Sequence, residues 1–197
     1  MGHTSGAKDD LRRTLLAARR RRSEPDLLAV GAALAAHVAG DPALHGARHL
    51  AAYLAMRGEP PTDALVADRL AAGATVLVPL SRDDGGLDWV VHDPASDVRR
   101  STIGVPEPVG LPTLEAGLAT TQLVLVPALA VDHQGHRLGR GAGYYDRALA
   151  SLRDRARRPM TCAVVFADEL VPAVPTEAHD VPVDLVLTEA GVFRPAR

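Results

Sequence analysis

Residues 122–157 read QLVLVPALAVDHQGHRLGRGAGYYDRALASLRDRAR, and this stretch decides the predicted fold. Gln122 to Val131 is a continuous apolar run, which is typical of a strand that is buried on both faces. A glycine-rich segment follows it, and the helical spacing of apolar residues then predicts a helix from about Gly143 to Arg157. A buried strand, a glycine-rich loop and a helix in this order indicate the α/β class.

The same alternation of strands and helices runs through the rest of the chain. Apolar runs predict further strands at Leu50 to Met56, Thr75 to Leu80, Leu87 to His92, Thr161 to Ala167 and Asp184 to Glu189. Periodicity and capping residues predict helices over residues 7–22, from Ser23 to Gly40 and from Thr62 to Gly73. Residues 93–117 are rich in proline and glycine and are predicted to be irregular. We expect a single domain over residues 1–197, with a mostly parallel or mixed sheet and helices on both faces.

The composition excludes several classes of protein. The chain has 197 residues, a net charge of −2 and only 3% aromatic residues. Nucleic-acid binders usually need a basic surface and aromatic side chains on which bases stack, so we expect no nucleic-acid partner. The basic run Arg19 to Arg22 is interpreted as a solvated helix end. Cys162 is the sole cysteine, so neither an intramolecular disulfide nor a cysteine zinc cluster can form.

No membrane segment is expected either. The longest apolar stretch lies within Leu27 to Ala36 and is well short of the roughly 20 residues that span a bilayer. The N-terminal residues lack the apolar core of a signal peptide. We therefore expect a cytoplasmic, monomeric protein.

The segment Asp132 to Asp146 is the predicted site of chemistry, because ligands of open α/β sheets bind at the carboxyl ends of strands. Its three alternating glycines let the backbone adopt positive φ and turn N–H groups into one concavity. Arg137 and Arg140 can add bidentate contacts to phosphate, and Asp146 can hold a bridging metal ion. Together these features predict a polyphosphate site. The plain alternative is a glycine-rich turn with solubilising arginines and a carboxylate at a helix start.

Known phosphate motifs do not account for this segment. No Lys-Ser or Lys-Thr pair follows the glycines, and Tyr144 stands where a dinucleotide fingerprint has its third glycine. Asp132, His133 and His136 are interpreted as a hairpin or loop tip rather than a metal site. Trp89 is expected to pack on the sheet.

The motif RLGRGAGYYD at residues 137–146, preceded by VPALAVDHQG, resembles the signature of the 5-formyltetrahydrofolate cyclo-ligase family. The resemblance covers nearly the whole chain. Its other parts are Lys8 and Arg12 on the first helix, LAMRGEPPT with Glu59, GVPEP at Gly104 to Pro108, and HDVPVDLVLTEAGV with Asp180. It implies an α/β fold resembling that of sugar-phosphate isomerases and CoA transferases.

Two positions depart from the family pattern. Leu80 stands where many members have arginine after the proline of the second strand, and we expect Arg82 to replace that charge. Ala142 stands where some members have lysine, and we expect the glycine-rich backbone to do without it. These departures concern contacts to phosphate or to the glutamate tail of folate.

The resemblance implies conversion of 5-formyltetrahydrofolate to 5,10-methenyltetrahydrofolate with ATP as co-substrate and Mg²⁺ as cofactor. It implies catalytic roles for Arg140 and Lys8. The ATP-binding residues that it implies are Lys8, Arg12, Arg137, Leu138, Gly139, Arg140, Gly141, Ala142, Gly143, Tyr144 and Tyr145. The implied folate-binding residues are Leu54, Met56, Glu59, Tyr144 and Tyr145. The implied magnesium carboxylates are Asp146 and Asp180.

Plainer interpretations stand beside these roles. Lys8 is the only lysine among 22 basic residues, and without the resemblance it would be assigned to an exposed helix face. Glu59 would be a loop acid, and Asp180 a loop cap. Two alternative functions also stay open: a sugar-phosphate isomerase or CoA-transferase-like enzyme, and a non-catalytic nucleotide-binding module on the same fold.

Overall fold

The computed structural model describes residues 2–101, 104–110, 118, 120–152, 157–177 and 180–196. The described helices are α1 (Gly2–Arg19), α2 (Glu24–Gly40), α3 (Pro42–His45), α4 (Asp63–Ala71) and α5 (Tyr144–Ala150), with a 3₁₀ turn at Ala167–Glu169. The described strands are β1 (His49–Ala51), β2 (Thr75–Ser81), β3 (Leu87–Val91), β4 (Val98–Arg100), β5 (Pro106–Pro108), β6 (Leu123–Pro127), β7 (Ala130–Asp132), β8 (Arg137–Leu138), β9 (Met160–Val164), β10 (Leu170–Val171), β11 (Leu185–Thr188) and β12 (Gly191–Phe193).

Within these residues, a seven-stranded sheet with the order β12-β11-β9-β6-β1-β2-β3 forms the centre of the fold. Its five inner strands run parallel to one another. The two edge strands, β12 and β3, are antiparallel to their neighbours. The predicted mostly parallel α/β fold is therefore confirmed.

Side chains of β6 show why the core lies on both faces of this sheet. Leu123 and Leu125 pack with buried residues of α2 and α4, whereas Val124 and Val126 pack with Leu149 of α5 on the opposite face. Successive side chains of a strand point to opposite faces, so a continuous apolar run requires cover on both. Helices on the two faces supply that cover.

The apolar run 122–131 does not form the single strand that was predicted. β6 ends at Pro127, and β7 belongs to a second, three-stranded sheet with the order β10-β7-β8. The carbonyl of Ala128 accepts a hydrogen bond from Nη2 of Arg19 at 2.6 Å, and the amide of Leu129 donates to the carbonyl of Leu138 at 2.7 Å. These bonds satisfy the backbone groups at the point where the chain leaves one sheet for the other. The break therefore needs no polar side chain of its own, and the apolar run continues across it.

The predicted strand from Leu50 to Met56 is also shorter, because pairing stops at Ala51. Beyond it, the carbonyl of Tyr53 accepts a hydrogen bond from Oγ1 of Thr62 at 2.7 Å. The hydroxyl of Thr62 is therefore used to hold this segment, and it makes no capping bond to α4. The residues after Ala51 form a loop at the carboxyl edge of the sheet rather than more strand.

The basic run at the end of α1 is a solvated helix end only in part, because Arg20 and Arg21 are exposed whereas Arg19 is buried. Arg19 is 3% exposed, and its Nε and Nη2 donate to the two carboxylate oxygens of Glu169 at 2.6 and 2.7 Å. The guanidinium of Arg22 lies 3.7 Å from the ring centroid of Phe166. α1 ends at Arg19, three residues before its predicted end. The ion pair between Arg19 and Glu169 attaches the last turn of α1 to the 3₁₀ turn.

Other predictions stand with adjusted bounds. β2, β3 and β11 lie within one residue of their predicted limits, and β9 ends three residues before its predicted end. Ser23 caps α2 as expected. The short helix α3 was not predicted, and within the predicted irregular region β4 and β5 form a two-stranded ribbon. The helix predicted to reach Arg157 ends at Ala150, and residues 153–156 lie outside the described residues. None of the described helices has the length and apolar character needed to cross a bilayer.

Candidate active site

A cavity of about 500 Å³ lies at the carboxyl edge of the central sheet. It is bordered by the segments that leave β1, β2 and β6, by α1 and by the glycine-rich loop. Its lining includes every predicted site residue: Lys8, Arg12, Leu54, Met56, Glu59, Arg137, Leu138, Gly139, Arg140, Gly141, Ala142, Gly143, Tyr144, Tyr145, Asp146 and Asp180. Residues that are far apart in the chain therefore meet where open α/β sheets bind their ligands.

The glycine-rich loop lies against α1. Gly141 and Gly143 have φ angles of +105° and +72°, a region that side chains other than glycine disfavour. Nε of Arg12 donates a hydrogen bond to the carbonyl of Gly139 at 2.9 Å. A Cβ at Gly141 would lie 3.7 Å from the guanidinium carbon of Arg12. The loop is therefore held by an arginine from the first helix, and the positive φ angles at Gly141 and Gly143 are what favour glycine there.

Lys8 connects the first helix to the last loop of the cavity. Its Nζ lies 3.1 Å from Oε2 of Glu177 and 3.0 Å from Oδ2 of Asp180, and its side chain is only 11% exposed. Burial lowers the pKa of Lys8, but the hydrogen bonds to Asp180 and Glu177 outweigh that effect and leave its pKa raised. The lysine is thus a fixed cation at the cavity wall and not part of a solvated helix face.

Arg137 is held beneath the loop. Its guanidinium donates to Oδ1 of Asp146 and to the carbonyl of Val181, and its side chain is 4% exposed. Burial lowers the pKa of Arg137, and the nearby carboxylates of Asp146 and Asp180 oppose that shift. The arrangement favours Arg137 as a support for Asp146, in addition to the phosphate contact predicted for it.

Glu59 and Arg140 form an ion pair that connects the loop after β1 to the glycine-rich loop. Oε1 of Glu59 accepts from Nε of Arg140 at 3.0 Å, and Oε2 accepts from the amide of Met56 at 2.9 Å. Glu59 is 6% exposed, whereas the side chain of Arg140 is 39% exposed. A buried carboxylate thus orients an arginine that is still open to the cavity.

The two tyrosines differ in their surroundings. Tyr145 packs edge-to-face on Trp89 with ring centroids 6.4 Å apart, so Trp89 packs on the sheet as predicted. The hydroxyl of Tyr145 is buried without a hydrogen-bond partner among the described residues. Burial raises the pKa of Tyr145, so this hydroxyl stays protonated and able to donate. Tyr144 lies under the guanidinium of Arg147, which is 5.4 Å from its ring centroid.

The suggested metal ligands of the Asp132 segment form a hairpin tip, as predicted. β7 and β8 are antiparallel, and Asp132 accepts hydrogen bonds from the amides of Gln134, His136 and Val174. Over the whole described part of the chain, no group of three or more His, Cys, Asp or Glu residues could hold a metal ion by itself.

Several residues of this region were not predicted from the sequence. Glu177 and Asp180 both form ion pairs with Lys8. The position of Glu177, three residues before Asp180, was the feature of the sequence that could have predicted it. Glu107, within the GVPEP motif, is 2% exposed and accepts a hydrogen bond from the amide of Ser81 at 2.7 Å. The further cavity residues are Tyr53, Pro79, Ser81, Leu87, Val105, Pro127 and Ala128.

Arg82 does not take the place of the arginine missing at position 80. Its guanidinium pairs with Asp84 at 2.5 Å and with Asp88 at 3.4 Å, within the β2–β3 hairpin. Leu80 is buried, and neither residue lines the cavity. Alternation along β2 turns the side chains of Pro79 and Ser81 to the cavity and that of Leu80 to the other face.

The fold and the site define an α/β protein whose sheet-edge cavity presents a glycine-rich loop and several cations to an anionic ligand. The sequence profile of the 5-formyltetrahydrofolate cyclo-ligase family matches residues 4–189. The chain is 38% identical over 188 residues to a 5-formyltetrahydrofolate cyclo-ligase of Mycolicibacterium smegmatis, which covers 92% of this chain and 93% of the relative. The chain therefore belongs to the 5-formyltetrahydrofolate cyclo-ligase family, and it is an enzyme of that family.

Solved structures agree with this assignment. A 5,10-methenyltetrahydrofolate synthetase of Aquifex aeolicus superposes with a TM-score of 0.78 at 25% identity, over 96% of this chain and 93% of that one. A 5,10-methenyltetrahydrofolate synthetase of Mycoplasma pneumoniae superposes with a TM-score of 0.69 at 17% identity, over 91% and 97% of the two chains, which shows the shared fold.

Proposed function

We propose that this chain converts 5-formyltetrahydrofolate to 5,10-methenyltetrahydrofolate and that ATP is cleaved to ADP and phosphate. One observation carries the proposal: the Glu59–Arg140 pair joins a pocket with apolar walls to a glycine-rich loop that is surrounded by cations. A reaction that transfers phosphate from a nucleotide to a folate needs these two environments side by side.

The chemistry explains why ATP is required. The formyl group on N5 is an amide, and its oxygen is a poor leaving group. Transfer of the γ-phosphoryl group to that oxygen breaks a P–O bond of ATP and releases ADP. N10 then attacks the formyl carbon, the C–O bond breaks, inorganic phosphate leaves and the N10 proton goes to solvent. The protein needs no covalent nucleophile, because alignment and charge neutralisation suffice.

We assign the folate end of the cavity to Glu59, Leu54 and Met56. A carboxylate can accept two N–H bonds from an aminopyrimidinone edge, and Glu59 is buried with its orientation set by the Met56 amide. Tyr144 and Tyr145 line the same cavity, and the hydroxyl of Tyr145 is buried there.

We assign the phosphate end to Arg140, Lys8, Arg12 and the loop from Arg137 to Tyr145. Arg140 is the proposed clamp on the transferring phosphoryl group, because it belongs to the loop, is oriented by Glu59 and is open to the cavity. Lys8 and Arg12 share one face of α1 and both border the cavity, so they can neutralise nucleotide phosphates.

Asp146 and Asp180 fit a magnesium ion that is held together with the nucleotide. Proteins usually bind Mg²⁺ through one or two carboxylates plus substrate phosphates, which suits two acids at the cavity wall better than a complete protein cage. The ion would supply positive charge to the phosphate oxygens. Lys8 and Arg137 hold these two carboxylates in position.

The direct test mixes purified protein with Mg²⁺, ATP and 5-formyltetrahydrofolate. We expect the near-ultraviolet absorbance of the methenyl product to rise in proportion to the ADP released. Reactions without ATP, and reactions with EDTA, are the controls. Absence of product at high enzyme concentration, with folded protein verified by circular dichroism, would contradict the proposal.

A further inference from the structure

Arg147, in α5, connects two separate segments of the cavity wall. Its Nε and Nη2 donate to the carbonyl of Gly85 at 2.8 and 2.6 Å, and Nη2 also donates to the carbonyl of Ala142 at 2.9 Å. Gly85 lies in the turn between β2 and β3, whereas Ala142 lies in the glycine-rich loop. Both the hairpin, through Ser81 and Leu87, and the loop contribute to the cavity lining.

Two glycines make room for this one guanidinium. A Cβ at Gly85 would lie 2.6 Å from Nη2 of Arg147, and a Cβ at Gly143 would lie 2.8 Å from Nη1. Both glycines have positive φ, +81° and +72°, so both positions already favour glycine. The guanidinium therefore fills space that any other residue at either position would occupy. Its planar fork reaches two carbonyls at once, which a lysine ammonium cannot reproduce.

The same hairpin and helix are also joined at their base. Trp89 of β3 packs on Tyr145 of α5, four residues from Gly85 along the hairpin and two residues from Arg147 along the helix. A contact at the base alone leaves the turn free to move away from the loop. The Arg147 bonds add a second connection at the turn, and two connections determine the spacing between hairpin and loop. Tyr144, which lines the cavity, lies against the same guanidinium.

We propose that Arg147 is a positioning residue that couples the β2–β3 hairpin to the glycine-rich loop. The identity of the two ligands rests on the proposed function, whereas the connection itself does not. A ligand that orders the glycine-rich loop also orders, through Arg147, the hairpin whose Ser81 and Leu87 line the cavity, so the protein loses less conformational entropy when the second ligand binds. Such coupling is reciprocal: each ligand must tighten the other by the same factor.

Calorimetric titration measures that factor. Each of two ligands, 5-formyltetrahydrofolate and a non-hydrolysable ATP analogue with Mg²⁺, is titrated with and without saturating amounts of the other. For the wild-type protein we expect a mutual tightening of about fivefold or more. For Arg147→Ala we expect a factor close to one. Arg48→Ala is the matched control, because Arg48 also donates to a backbone carbonyl, that of Ala72, but lies outside the cavity.

A third variant separates geometry from charge. Arg147→Lys keeps the positive charge but cannot make all three hydrogen bonds, so we expect its coupling factor to resemble that of Arg147→Ala. Wild-type coupling in either Arg147 variant, a factor of one in the wild-type protein, or an equal loss in Arg48→Ala would each overturn the proposal. Comparable melting temperatures of the variants establish that they are folded.

Hydrogen exchange distinguishes failure of this inference from failure of the proposed function. Without any ligand, Arg147→Ala should exchange the amides of residues 83–87 and 139–143 faster than wild type, and Arg48→Ala should not. Unchanged exchange overturns the proposal even if the enzyme turns over its substrates. Faster exchange in a protein that binds neither ligand supports the connection and contradicts the proposed function instead.

Discussion

Lys8 and Asp180 are joined by a 3.0 Å hydrogen bond although 172 positions separate them in the chain. The contact brings the first helix and the last loop together at the wall of one cavity. It also engages the only lysine of a chain that otherwise uses arginine for positive charge. Because Lys8 is buried between two carboxylates, even a substitution that preserves its charge should affect its function.

We expect Lys8→Arg to raise the KM for ATP by about tenfold, which corresponds to roughly 1.4 kcal/mol. A guanidinium is larger and planar, and it cannot occupy the space of an ammonium between Glu177 and Asp180 without moving them. Steady-state kinetics at varied ATP measures the effect. Arg13→Lys, on the exposed face of the same helix, is the control. An unchanged KM for ATP would contradict the proposed contact between Lys8 and the nucleotide phosphates.

We expect Arg140→Ala to lower kcat by roughly 10²- to 10³-fold, as the loss of a donor to developing charge does in other enzymes. The substitution leaves the buried carboxylate of Glu59 with the amide of Met56 as its remaining donor, so the free energy of unfolding should fall by about 1–3 kcal/mol, which leaves the protein folded. Turnover and urea denaturation are measured on the same preparation, with Arg82→Ala as the control. A kcat per folded molecule equal to that of the wild-type protein would assign Arg140 a structural role.

We expect Arg19→Met to destabilise the fold by about 3–5 kcal/mol, because it leaves the buried carboxylate of Glu169 without its cation. The double variant Arg19→Met/Glu169→Leu should recover only part of that loss, since no charge then stays buried but the carbonyl of Ala128 and the amide of Phe166 still lack their partners. Arg20→Met, at an exposed neighbouring position, should have little effect. Urea denaturation measures all three. A double variant no more stable than Arg19→Met would show that packing, not the unpaired charge, causes the loss.

Asp184 should contribute to the loss of stability of this protein at acid pH. Burial raises its pKa, but hydrogen bonds from Arg158 and Thr161 outweigh this and hold the pKa of Asp184 below its ordinary 3.8. Its stabilising effect is therefore present above pH 3.8 and is lost as the pH falls through the lower pKa of the folded state.

We expect Asp184→Asn to destabilise the protein at pH 7 by roughly 1.5–3 kcal/mol, the range for hydrogen bonds to charged groups. The difference from wild type should shrink steadily as the pH is lowered below about 4. Urea denaturation at a series of pH values measures it, and Asp97→Asn, at an exposed position, is the control. A difference that is the same at pH 7 and in acid would contradict this explanation.

The fold was largely predictable because its signals are local. Apolar runs identified β2, β3, β9 and β11, and the Ser23 cap identified the start of α2. The errors occur where tertiary contacts override the pattern. The run 122–131 divides between two sheets because Arg19 and Leu138 bind the backbone at the break. Arg19 itself is buried because Glu169, 150 positions away, compensates its charge.

The sequence by itself determined the class of fold and the composition of the glycine-rich loop. Both depend on properties of neighbouring residues: periodicity, and the access of glycine to positive φ. The tertiary structure alone decided which charges meet, as when Arg82 turns to Asp84 and Lys8 reaches Asp180. Those pairings depend on the order of strands in the sheet and on the face each side chain takes, and neither is encoded in any short segment.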